Sequence, residues 1–231
     1  MTEPAGFAND APSQLQKVIP TATAVLTNPQ GFFSAMPKEG GFEAPGAFAL
    51  AMLVPYAVIL AVLSLVHLHA GGFIASLIVV PIFGAIGLLI GAAIILFVSR
   101  ALGGEASFES SFRIVAYSAA IAPIQAVAQI VPYLHILVSA YGFYLAIVAV
   151  IAVHRVPAEK AWRVLGGIAA VLLFLSFFAT LSARRMASKM EAMKPQLEEF
   201  SRQMQKQAEE MQKAVEKMQK QIPPEQREQS R

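Results

Sequence analysis

The chain has 231 residues, of which 56% are hydrophobic and 14% charged, with 18 Lys or Arg against 15 Asp or Glu and no cysteine. Soluble domains carry about 25% charged residues, so this composition excludes an ordinary soluble surface. The missing thiols exclude disulfide frameworks, thiolate metal sites and cysteine nucleophiles.

Position sharpens the average. No Asp, Glu, Lys or Arg occurs in 44–99, 114–154 or 164–183, whereas 184–231 holds 11 Lys or Arg and 8 Glu. The pI near 9.2 therefore reports the tail. With mixed signs and no interleaved aromatics the tail makes a poor nucleic-acid surface, so no nucleic-acid partner is expected.

In chain order, residues 1–24 read as a disordered tail rich in Pro, Ala and Thr. Its start, with Glu3, Asp10 and Lys17 and no apolar core, is not a secretory signal. Asn28-Pro29-Gln-Gly-Phe32-Phe33-Ser-Ala-Met36 predicts a short interfacial helix, with Pro29 in its first turn and Phe32, Phe33 and Met36 on one side.

A spanning helix needs about 20 apolar residues, and a charge at the bilayer centre costs about 2.5 to 3.5 kcal/mol. The charge gaps therefore predict an all-α bundle of five spans, near 47–67, 73–98, 114–131, 133–153 and 164–181. The breaks fall at His67-Leu-His69-Ala-Gly-Gly72 and at Val131-Pro132. The second span is longer than the bilayer requires, and Pro81 offers it a kink. Gly84, Gly87 and Gly91 form a small-residue strip on that span, suited to close helix approach.

The loop Arg100–Arg113 contains Gly103-Gly104, but no Gly-Lys-Ser/Thr follows, so it does not read as a phosphate loop. The glycines are expected to close the second helix. Ser107 is expected to cap a short amphipathic segment along the membrane surface, with Glu109 near its positive end. Four apart on the third span, Gln125 and Gln129 share a face and are expected to bond a neighbouring helix. A transport path using them with Tyr117 and Ser118 is the alternative reading. His67, His69, His135 and His154 fall near span ends, which favours interfacial histidines over a metal site, and no catalytic constellation or cofactor motif is found.

With the N-terminus inside, the inner side holds seven Lys or Arg near the spans and the outer side the tail's first four, Arg184, Arg185, Lys189 and Lys194. That balance favours a cytoplasmic N-terminus.

In the tail, Met190, Leu197, Met204, Met211 and Met218 recur every seven residues, and Met186, Met193 and Phe200 form a second series that continues as Gln207, Ala214 and Gln221. That is a coiled-coil or amphipathic pattern. It predicts one helix over about 195–222, with Pro195 in its first turn and Pro223-Pro224 as its stop. The readings are a solvated charged helix, a self-associating coiled coil making a homo-oligomer, or a methionine face for the membrane surface or a protein partner.

Leu102-Gly103-Gly104-Glu-Ala-Ser-Phe108-Glu-Ser-Ser-Phe112-Arg-Ile-Val-Ala-Tyr117-Ser118 resembles the signature of the Yip-domain family, multi-pass proteins named for interaction with Ypt/Rab GTPases. Upstream, Asn28-Pro29-x-x-Phe32-Phe33 resembles that domain's approach to its first span, and Tyr141-Gly142 and the fourth loop also fit. The resemblance covers 25–182, leaving 183–231 as an additional charged helical tail. It implies a five-helix bundle, a cytosolic N-terminal tail and no catalytic residues or cofactor. The acidic Asp-Leu-x-Gly-Pro stretch of eukaryotic members is absent, which argues against a GTPase partner. The Ala-, Gly- and Val-rich spans suggest a bacterial inner membrane. The expected function is a non-enzymatic membrane protein that organises membrane or protein partners, with the lipid bilayer as first partner.

Overall fold

The computed structural model describes the backbone of 11–66 and 70–221, and the side chains of 16–65 and 72–214. His67 and His69, the Pro223-Pro224 stop and the first ten residues lie outside the described backbone, and the side chain of Met218 outside the described side chains. The elements are α1 Ala11–Thr27, α2 Pro29–Ala35, α3 Glu43–Val66, α4 Ala70–Ala101, α5 Phe108–Ser118, a 3-10 turn Ala119–Ile121, α6 Ala122–Ala128, α7 Leu134–His154 and α8 Ala158–Gln221. The described residues contain no strand.

Five helical stretches are long and apolar enough to cross a membrane: Glu43–Leu65, Gly72–Ala101, Phe108–Ala128, Leu134–His154 and one beginning at Ala158. Each contains one of the five expected spans or most of it. Their outer faces carry large exposed apolar residues, among them Val58 on α3, Phe83 and Phe97 on α4 and Phe174 on α8. On a water-soluble protein such a belt would drive aggregation. In a bilayer these side chains meet lipid tails, and helix association rests on packing and hydrogen bonds instead.

The chain divides into two units, Met1–Phe177 and Phe178–Arg231. In the first, the largest buried cluster joins Val25 of α1, Phe33 of α2, Phe48 and Met52 of α3, Ile114 of α5 and Leu145, Ala149 and Val153 of α7. A second buries Ala49, Ala92, Phe112 and Ala116 where α3, α4 and α5 meet. The second unit is helical through Gln221, and its described side chains from 182 to 214 are exposed.

Four elements depart from expectation. Helix α1 occupies part of the tail expected to be disordered over 1–24, because Val25 finds a fully buried site and Tyr141 of α7 donates a hydrogen bond to the Leu26 carbonyl. The aromatic side of α2 faces protein rather than the bilayer surface: Phe33 is 1% exposed and Met36 is buried. The third span is not one helix over 114–131. It begins at Phe108, tightens into the 3-10 turn before Pro123, and ends at Ala128, so Gln129 caps rather than continues it. Proline lacks the amide that would bond four residues back, and a 3-10 turn absorbs the defect. Finally, α8 runs unbroken through Pro195, where the sequence predicts separate helices over 164–181 and 195–222. One lost hydrogen bond does not end a helix whose residues on both sides favour it.

Candidate functional site

One group of polar side chains of the first unit gathers where the α4–α5 loop, the start of α5, the end of α7 and the loop before α3 converge. Each is there for a local reason. Helix α4 ends at Ala101, and Gly103 adopts φ +85, a left-handed conformation open to glycine without strain. Gly104 then lies against backbone: a Cβ there would meet Val156 Cγ2 at 2.5 Å, the His154 carbonyl oxygen at 2.9 Å and the Ser99 carbonyl oxygen at 3.0 Å. Its amide donates to the Ser99 carbonyl at 2.8 Å, and the Glu105 amide donates to the His154 carbonyl at 2.8 Å. Leu102 packs against the buried cluster formed by Ile147, Val150, Val156 and Ala161. The Leu102-Gly103-Gly104 motif thus ties the end of α4 to the end of α7.

Ser107 caps α5. Its Oγ accepts from the Ser110 amide at 3.1 Å, and Ser110 Oγ accepts from the Ser107 amide at 3.2 Å, a reciprocal capping box. Ser110 also reaches His154. The imidazole bridges Ser110 Oγ through Nε2 at 3.0 Å and Ser99 Oγ through Nδ1 at 2.7 Å. His154 and Ser99 are 0% exposed and Ser110 2%. His154, placed by sequence at an interface, is therefore a buried tie between α4, α5 and α7. With both of its nitrogens engaged and no exposure, no substrate reaches the ring in this arrangement. The sequence carries only a faint signal for it: polar residues at the edges of three helices that must meet.

A second tie joins α5 to the loop before α3. Arg113 Nη1 donates to the Gly41 carbonyl at 3.0 Å, the Gly41 amide donates to Glu109 Oε1 at 2.6 Å, and the two side chains lie 4.0 Å apart. Gly40 and Gly41 have φ +127 and +81, so this loop depends on glycine. Arg113 is 6% exposed, and its Nε has no hydrogen-bond partner. It stands within the helix of the third span, where the sequence places it just outside, because α5 starts six residues earlier than the predicted span. A charge there requires partners, and Gly41 and Glu109 supply them.

Aromatic residues knit the same end. Phe32 lies edge-on to Phe33 at 5.3 Å and to Tyr117 at 5.2 Å; Phe48 packs on Tyr117 at 5.2 Å; and Phe42 contacts Phe108 at 6.1 Å and Phe112 at 5.2 Å. Asn28 Oδ1 accepts from the Gly31 amide at 3.1 Å and caps α2, whose first residue is the buried Pro29. So the Asn28-Pro29…Phe32-Phe33 segment and the loop motif, 70 residues apart in sequence, meet through Tyr117. Gly142 faces Ile121, with Cδ1 3.8 Å from the position of a Cβ. The Ser118 Oγ is buried without a partner.

Toward the other end of the third span, Gln125 Nε2 donates to Ser139 Oγ of α7 at 2.8 Å. Gln125 and Gln129 line one cavity of about 260 Å³ with Tyr56 and His135. Tyr117 lines a different cavity, of about 160 Å³. Neither of these two cavities is lined by all four residues of the alternative transport path. On the glycine strip, a Cβ at Gly84 would meet Leu53 Cδ1 at 2.8 Å and one at Gly91 would meet Val115 Cγ1 at 3.2 Å, while Gly87 faces open space. Among the described residues no group of three or more His, Asp or Glu is placed to hold a metal ion.

In the second unit Met190, Met193, Leu197, Phe200, Met204 and Met211 are 54–71% exposed along α8. Being seven apart, Met190, Leu197, Met204 and Met211 fall on one face.

Five apolar helical stretches with large apolar side chains on their outer faces define an integral membrane protein of the polytopic helical class. The Yip1 domain family model matches residues 23–181, and the chain belongs to that family. No curated protein and no solved structure matches the chain at a significant level.

Proposed function

We propose that the protein is a non-enzymatic organiser of membrane or protein partners, with a membrane domain over 25–182 and a contact helix over 183–231. The N-terminus lies in the cytoplasm, and a bacterial inner membrane is the expected home. The observation that carries this reading is the apolar seam of α8. Six of its large apolar residues stand 54–71% exposed on the stretch beyond 183, whose other residues are mostly Lys, Arg, Glu, Gln, Ser and Ala. A merely solvated helix has no need of them, whereas a heptad seam buries them against a second helix. The occupant proposed is a second copy of this chain, because heptad spacing gives a self-complementary face.

Leu197→Asp with Met204→Asp tests it. The full chain in detergent or nanodiscs is expected to change from an oligomer to a monomer by mass measurement, with helicity over the spans unchanged. An oligomer that survives both substitutions, or a wild-type chain that is monomeric at every concentration, refutes the seam as the contact.

A further inference from the structure

We propose that the cavity between α1, α3 and α5 binds the headgroup of an anionic phospholipid. It has about 160 Å³ and is lined by Lys17 and Thr21 of α1, Ala44, Phe48 and Ala51 of α3 and Tyr117 of α5, among others. Pockets for drug-sized ligands begin near 300 Å³, so this one suits a headgroup rather than a whole ligand.

Three lining groups offer hydrogens to an anion: the Lys17 ammonium, the Thr21 hydroxyl and the Tyr117 phenol. Among the described residues none of the three has a hydrogen-bond or ion partner. The Tyr117 ring is fixed by Phe32 and Phe48, so its hydroxyl is held in place rather than free to seek a partner elsewhere. Ala44 stands in the first turn of α3, a 24-residue helix whose positive end therefore borders the cavity. Glu43 shares that turn but does not line the cavity.

Depth selects the lipid over a free anion. From Ala44 to Ala51, helix α3 descends about 10 Å, so the cavity extends from the end of a span toward the acyl region. Its walls there are apolar, which a free phosphate cannot use. A phospholipid presents phosphate to Lys17 and glycerol and first methylenes to Phe48 and Ala51. The proposal is independent of self-association through α8.

The test uses the full chain purified in detergent, with native mass spectrometry counting retained phosphatidylglycerol against phosphatidylcholine, and thermal melting with inorganic phosphate as a separate arm. Wild type is expected to retain phosphatidylglycerol preferentially. Lys17→Gln is expected to lower that retention about fivefold, the worth of one basic residue near an anionic surface. Lys17→Arg should restore it, Tyr117→Phe should lower it by less, and Lys206→Gln in the tail should leave it unchanged. Equal retention by wild type and Lys17→Gln overturns the proposal. So does a Lys17-dependent stabilisation by inorganic phosphate that matches the lipid's, because the site would then recognise a free anion.

Discussion

Gly104→Ala is expected to destabilise the purified protein by about 3 kcal/mol, near the top of the range for overpacking a filled site. The new Cβ would sit 2.5 Å from Val156 Cγ2 and within 3.0 Å of two carbonyl oxygens, those of His154 and Ser99. Val156 can rotate, but the carbonyls are fixed at the ends of α7 and α4: that of Ser99 accepts from Gly104 and closes α4, and that of His154 accepts from Glu105 and ties the loop to α7. Relief would require the loop to pull away from both helix ends, weakening the cap on α4 and the bond to α7. Gly87→Ala provides the opposite sign: nothing lies within 4 Å of its Cβ, and alanine favours a helix interior over glycine by about 1 kcal/mol. Melting in detergent should fall sharply for the first variant and stay level or rise for the second. Equal melting for both would show that the α4–α7 junction is not as tight as described.

His154→Leu is the second large effect. Leucine approximates the volume of the imidazole but bonds neither Ser99 nor Ser110. Ser99 Oγ then keeps no side-chain partner in a fully buried position, at a cost of about 1 to 3 kcal/mol. Ser110 retains its capping box with Ser107 and suffers less. A double-mutant cycle isolates the tie. In a Ser99→Ala background His154→Leu should cost at least about 0.5 kcal/mol less than in wild type. Strict additivity of the two substitutions would mean that the 2.7 Å contact contributes nothing to stability.

How much of this was legible in the sequence depends on which physical signal was strong. The five spans follow from charge alone, because the penalty for a charge in the bilayer is large and local. Three empty stretches admit few other readings. The Ser107 cap was legible for the same kind of reason, since a hydroxyl before a helix bonds within three residues of itself. Long-range ties were not legible. Nothing local says that His154 bonds Ser99, 55 residues away, or that Arg113 bonds the Gly41 carbonyl, 72 residues away. Arg113 also misled the third span's boundary, because a paired and buried arginine costs far less than an isolated one. Proline does not act alike everywhere: α8 accommodates Pro195, whereas Pro123 sits where the third span changes winding. The aromatic side of α2 illustrates a further limit. Amphipathicity predicts that a face is buried but not whether lipid or protein buries it, and Phe33 chose protein.

The most direct test of the central claim, that the α8 seam is the contact surface, is photo-cross-linking in native membranes. A photoreactive amino acid would replace Met204 on the seam or Lys206 on the opposite side of the same helix, two residues and about 200° away. A cross-linked dimer of this chain is expected from position 204 and little or none from position 206. Equal yields from the two positions, or no dimer from 204, would contradict it.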